Sequence, residues 1–498
     1  MRRNILTALA CSWLLPAHAA SVDLKALLTD SDIKWASDTV ISFPDTTEFE
    51  DATVRWNSYN APTYAGAISP ADEEDVVKVV KFAKEHSVPF LATGGRHGCT
   101  DMVGLQEGLA IDLSQVNSYT LDSDDATITV GAGSTFGQFQ NAIYDAGFMI
   151  QSGSVTCPGF IGITLGGGIG RYTGIFGLEI DALVSARIVT ADGEVLTISE
   201  TENEELFWGV RGAGFNFGII ISATFKLHRL ADNNNGEILT ADFIIPANKT
   251  LFYFDWLESL SETMPPNAAG VSRFQFDSTA KEGQIGANWV FIGPEDEGRE
   301  FLSPILDLQP SIAMLSNVPW NKLIETAGGG QGAMLCEARA PRSLYTSQMR
   351  KYSASALQET FNKISTLWET YPGLAYTSLN FESFPNHAVA AVPDEATAYP
   401  WRDAIGWFQF EIISLDGVGS DSLNAGEQTG QALRDSWVRT SGYENHTIYV
   451  NYARGDETLE QKYGASKLPR LAALKKKYDP DNVFGWNNAL PTEYPGSG

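Results

Sequence analysis

A histidine set among glycines, Thr93-Gly94-Gly95-Arg96-His97-Gly98, is where residue type and spacing first suggest chemistry. Residues without side chains let backbone N–H groups close on a phosphate. A second run, Leu165-Gly166-Gly167-Gly168-Ile169-Gly170, offers the same. An imidazole inside such a loop stands where the ring system of a phosphate-bearing cofactor can reach it. The pairing points to a flavin held by its pyrophosphate and by a covalent bond to His97.

The elements needed to position these loops are readable. Ser69-Pro70, with acids at Asp72, Glu73 and Glu74, marks a helix start with Ser69 as cap and Pro at the first position. Residues 88–92 form a short apolar strand that feeds the first loop. Residues 109–113 and 126–130 read as further strands, the latter rich in β-branched residues. A helix over 136–146 stops at Gly147. Asp192-Gly193 turns a hairpin between 186–190 and 194–198, and 219–226 is another strand. Asp232 to Gly236 is a polar break. Beyond it, strands such as 287–291, helices such as 353–369 and aromatic residues (Trp401, Trp407, Phe408, Phe410) suggest a sheet covered by helices. Residues 447–452 read as a strand, and strict alternation puts Tyr449 and Asn451 on one face and Tyr452 on the other. A final helix runs through Leu468, Leu471 and Leu474 to Lys475-Lys476-Lys477.

Composition limits the function. With 498 residues, 43% hydrophobic and 19% charged, the chain can bury a large core and has room for more than one domain. Arg2 and Arg3, an apolar stretch from Ile5 to Leu15 and Ala17-His18-Ala19 form a secretory leader, 1–19. Without Arg2 and Arg3, 34 basic residues become 32 against 61 acids, a balance of −29. Such a surface repels phosphate backbones, so nucleic acid is excluded as a partner. No later run is long and apolar enough to span a bilayer. A secreted monomer is expected. Past the leader remain Cys99, Cys157 and Cys336, an odd count that leaves at least one thiol unpaired. Cys99 could pair with Cys336 or be a plain core residue. No metal-ligand spacing is present. Asn248-Lys249-Thr250 and Asn445-His446-Thr447 are glycosylation acceptors.

A rival fingerprint, Gly131-Ala132-Gly133-Ser134-Thr135-Phe136-Gly137, is near a dinucleotide motif but has one residue too many. It also lacks the acidic residue about 20 positions on that a nicotinamide site needs. A tight strand-to-helix turn explains these glycines better.

Six blocks in order are more specific. They are 93–98, Gly159-Phe160-Ile161-Gly162-Ile163-Thr164 with 165–170, Gly177-Leu178-Glu179-Ile180-Asp181, 205–218, Tyr449-Val450-Asn451-Tyr452 and 477–484. In these the chain resembles FAD-linked oxidases of the vanillyl-alcohol oxidase superfamily, in the berberine-bridge-enzyme-like branch. The resemblance implies an α+β fold: a two-subdomain FAD-binding domain over 55–230, after an extension at 20–54. A substrate-binding α+β cap over 231–440 and a returning segment, 441–498, complete it. It implies FAD contacts from Thr93, Gly94, Gly95, Arg96, His97, Gly98, Gly162, Thr164, Gly166, Gly167, Gly168, Gly170, Asn216, Gly218, Ile219 and Asn451. His97 would carry an 8α-histidyl bond.

Relatives often add a cysteine link four residues before the glycine that is Gly159 here, a place held by Val155, with Cys157 displaced by two. Either the loop absorbs the shift and Cys157 links the flavin, or the flavin is singly linked and Cys157 is a plain buried thiol. Tyr452 would take the substrate hydroxyl proton while hydride leaves for FAD, and O2 would then return hydrogen peroxide. A phenol must be tuned to act as a base. The resemblance is closest to fungal oxidases of secondary metabolites, some of which guide a following cyclisation. A carbohydrate oxidase is the alternative, and a flavin-binding protein without turnover a further one. A polar pocket would favour sugar and an apolar one a polyketide or alkaloid.

Overall fold

The computed structural model describes residues 23–496, so the expected leader lies outside it. Three main sheets organise the described residues. In the first, Tyr64–Ser69, Gly108–Asp112 and Phe90–Thr93 run parallel, and Val40–Ser42 joins Tyr64–Ser69 antiparallel. Leu24 and Leu28 are buried in the same core, so the N-terminal extension is part of this layer. Helix Glu73–Glu85 covers it with Val76, Val79, Val80 and Ala83.

The helix start differs from expectation. Asp72 caps it, its carboxylate accepting the Asp75 N–H at 3.0 Å. Ser69 instead ends a strand and donates to Asp112 Oδ2 at 3.0 Å. Pro70 drives the residue before it into extended backbone, which suits a strand end better than a cap.

The second sheet is antiparallel, in the order Tyr119–Asp122, Thr127–Gly131, Ile219–Lys226, Leu183–Val189, Val195–Ser199. Its hairpin turns at Gly193, whose φ of +69° suits glycine. Helix Phe136–Asp145 packs Phe136, Phe139 and Ile143 into the adjoining core. The rival glycines are packing devices: a Cβ on Gly131 or Gly133 would strike the Val116 or Leu113 carbonyl.

The third sheet has seven antiparallel strands, in the order Ile312–Pro319, Glu237–Pro246, Glu282–Ile292, Ala268–Asp277, Ser378–Ser383, Gly406–Ile413, Arg342–Met349. Alternation gives it two unlike faces. Leu239, Phe243, Ile285, Trp289, Phe381, Phe408 and Phe410 face helices Thr250–Thr263, Ala354–Thr370 and Ser420–Thr440 in an aromatic core. Truncating one of its fully buried tryptophans, such as Trp289 or Trp437, would cost about 3–5 kcal/mol. The opposite face carries Thr240, Asp242, Arg273, Asn288, Asn380, Glu382, Gln409 and Glu411. The molecule is thus α+β, with the polar face of one sheet available to a site.

Candidate functional site

The first glycine run meets the segment that leads into the second. The backbones of Gly95 and Gly159 approach so closely that a Cβ on either would overlap the other. Gly94 is similarly closed against the Ala132 carbonyl, whereas Gly162 faces open space. Arg96 takes a left-handed φ of +58°, which turns its side chain away from the run. Its guanidinium pairs with Asp112 and donates to the Val54 carbonyl, so the side chain braces the loop. Thr93 ends the strand that delivers the loop.

His97 stacks on Trp56 with ring centroids 5.4 Å apart, and Arg342 lies over the other ring partner, 3.9 Å from the Trp56 centroid. Burial, followed by the charges of Arg342, Arg55, Arg96 and Arg339, pushes the imidazole down to about 4. His97 is therefore neutral at physiological pH, with a nitrogen lone pair free to form a bond.

Cys157 is not a free thiol. It forms a disulfide with Cys336, with the Cα atoms 5.9 Å apart. Its sulfur is committed, which removes it as a second flavin link, and the alternative of Cys99 with Cys336 is excluded too. Cys99 is a free thiol, pushed up to about 11 chiefly by burial.

The second run is held from the C-terminal segment. Residues 447–452 are not a strand: Val450–Tyr452 is a 3-10 turn closed by the Tyr452 N–H to the Tyr449 carbonyl at 2.8 Å. Asn451 donates to the Ile163 carbonyl at 2.8 Å and to the Tyr449 hydroxyl, which accepts the Gly168 N–H at 3.0 Å. Gly166 must be glycine because Asn451 occupies its Cβ space, and Tyr399 does the same at Gly167. Gly170 lies against the Ser152 carbonyl. The turn overrides alternation because Asn451 has to reach the glycine run, and it brings Tyr449 and Tyr452 edge to face at 4.9 Å.

Tyr452 donates to Glu382 Oε2 at 3.0 Å. Glu382 comes from the polar face of the seven-stranded sheet and is 7% exposed. Burial pushes it up to about 7, against the Tyr452 bond and the nearby charge of Arg171. Burial, then Glu382, holds the Tyr452 phenol well above 10. The sequence carried no motif for Glu382; strand alternation of 378–383 was the one available signal. Glu179 was missed as well. It is 1% exposed, accepts from Thr164 Oγ1 at 2.9 Å and is raised by burial to about 8. Thr164 thus faces a buried carboxyl.

Asn216 lies elsewhere in its contacts. Its amide binds the Ala213 and Asn488 carbonyls and the Tyr463 hydroxyl, and its carbonyl accepts the Leu490 N–H at 2.8 Å. The side chain ties the C-terminal segment down. Gly218, at φ +157°, packs on the Val189 carbonyl, and Ile219 opens a buried strand. Asn248 and Asn445 are both exposed.

These residues fit FAD: closed glycine loops beside open Gly162, and a neutral imidazole. The FAD binding domain family matches residues 64–199, and the berberine and berberine-like family matches residues 448–491. The FAD-linked oxidoreductase fogF of Aspergillus ruber is 91% identical over all of both chains. The FAD-linked oxidoreductase srdI of Neurospora crassa is 40% identical over 95% of this chain and 94% of its own. A glucooligosaccharide oxidase of Acremonium strictum shares the fold, with TM-score 0.79, 24% identity, and 92% and 97% of the two chains covered. The chain is an FAD-linked oxidoreductase of the berberine-bridge-enzyme-like family.

Proposed function

We propose that the protein is an oxidase that converts a hydroxyl-bearing carbon of a small organic molecule to a carbonyl, with O2 as the electron acceptor. One observation carries this: the Tyr452 hydroxyl on Glu382 at 3.0 Å. Bound FAD supplies the hydride acceptor and, once reduced, the electrons for O2. Ionised Glu382 accepts the Tyr452 O–H, which leaves a phenol lone pair for the substrate hydroxyl. As the carbinol C–H bond breaks, the hydroxyl proton passes to Tyr452 and the phenol proton to Glu382. An acceptor poised near pH 7 suits both directions of that transfer. Thr93–Gly98 and Gly162–Gly170 hold the cofactor, and His97 is its single covalent anchor. A tether prevents cofactor loss after secretion, and the Cys157–Cys336 disulfide supports passage through an oxidising compartment.

Against the expectation that a polyketide or alkaloid would bring an apolar pocket, the sheet face is polar, so a secondary metabolite served here must carry several oxygens. The same face supports a second reading, a carbohydrate oxidase, as do the oligosaccharide oxidases that share the fold. Anaerobic addition of aromatic and aliphatic alcohols, and of chito-, xylo- and gluco-oligosaccharides, tests both. Bleaching of the flavin band by an alcohol supports the first reading and bleaching by a sugar the second. A flavin that no member bleaches would leave a binding protein without turnover.

A further inference from the structure

The carboxylates on the polar face are all engaged. Asp242 accepts the N–H groups of Gly328 at 2.9 Å and Gly329 at 2.8 Å, and the Asn288 amide. Glu382 holds Tyr452, and Glu411 accepts from Asn380 at 3.2 Å with Arg342 Nε 3.9 Å away. The guanidinium of Arg171 is not engaged. It follows Gly170 directly, is 6% exposed, and makes no hydrogen bond or ion pair among the described residues. Burial disfavours its charge, against the fields of Tyr172, Glu382 and Asp242, and none of these closes an ion pair with it. Arg273, on the face itself between Gly286 and Asn380, is half-buried and likewise without an ion pair. Asn288 keeps its carbonyl oxygen free. A guanidinium has five donors and keeps its proton, so burying it without acceptors is unfavourable unless a ligand supplies them. The unmet demand beside Tyr452 and Glu382 is thus for an acceptor, in a chain whose net charge is −27.

We propose that Arg171 is a specificity residue that receives an anionic oxygen of the substrate, a carboxylate or an ionised phenol, while Tyr452 and Glu382 take the hydroxyl being oxidised. This rests on the proton-accepting role of that pair. The acceptor could instead be an oxygen of the flavin, and the test separates the two sources. Holoenzyme is titrated with benzoate and with benzamide, its neutral counterpart, and the perturbation of the flavin spectrum is followed. Benzoate should bind at least about tenfold more tightly, as a charge-assisted bidentate pair requires. Arg171→Gln should abolish the difference while the flavin spectrum and potential of the free enzyme stay unchanged, and Arg171→Lys should restore part of it. Equal affinities in the wild type overturn the proposal, even if the variants fail to fold. So does a benzoate preference that survives Arg171→Gln, or a shifted flavin potential, which would assign Arg171 to the cofactor. Tyr452→Phe should keep the preference. If it also keeps turnover, the proton-transfer reading fails while the Arg171 assignment stands.

Discussion

At the scale of single residues, the site pairs groups that burial has moved away from their ordinary protonation. Glu382, raised to about 7, works only as a carboxylate, so kcat/KM should rise with pH through that value and fall below it. Glu382→Gln should remove this limb from the pH–rate profile. Tyr452→Phe should lower kcat by about 10²–10⁴-fold with the flavin retained. His97, held down to about 4, stays neutral at about pH 5.5, where an ordinary imidazole would be about nine-tenths protonated. Covalent incorporation of FAD into apoprotein should therefore proceed at about pH 5.5 as it does at neutrality, read as yellow colour in an acid-precipitated pellet. His97→Ala should leave all FAD in the supernatant. His97 and Tyr452 could be found in the sequence because motif neighbours flag them. Glu382 and Arg171 could not: their meaning comes from strands and loops that are distant in the chain. The same holds for Glu179, whose burial against Gly168 only the folded backbone shows.

At the scale of elements, local signals were read well where local physics decides. The Asp192-Gly193 hairpin and the helix stopping at Gly147 follow from turn and cap chemistry. Two readings failed where a distant contact decides. Ser69 serves Asp112 across the sheet, and Val450–Tyr452 turns because Asn451 reaches the glycine run. That dependence is open to test. A Cβ at Gly166 would overlap the Asn451 amide, so Gly166→Ala should displace the turn that aims Tyr452. Activity should fall by at least about tenfold, because small misplacements of reacting groups are costly. The yellow acid pellet should remain, since His97 lies on the other loop.

At the scale of the whole molecule, the Cys157–Cys336 disulfide joins parts of the chain 179 residues apart. Cys336→Ser should lower stability by about 2–4 kcal/mol, measured as a fall in denaturation midpoint, and should leave the flavin bound in the acid pellet. Flavin lost in that variant would mean the disulfide, and not His97 alone, secures the cofactor. The C-terminal segment binds the fold a second time: Asn488 and Leu490 meet Asn216, while Asn451 rests on Gly166. This arrangement sets a chronology. Protein synthesis runs from the N-terminus, and early units fold first. The two glycine loops and Glu382 exist long before Tyr452, which lies in about the last tenth of the chain. A chain that stops short of residue 449 therefore lacks both Asn451 against the second glycine run and Tyr452 on Glu382, and the proposed oxidation can begin only once this segment has folded back.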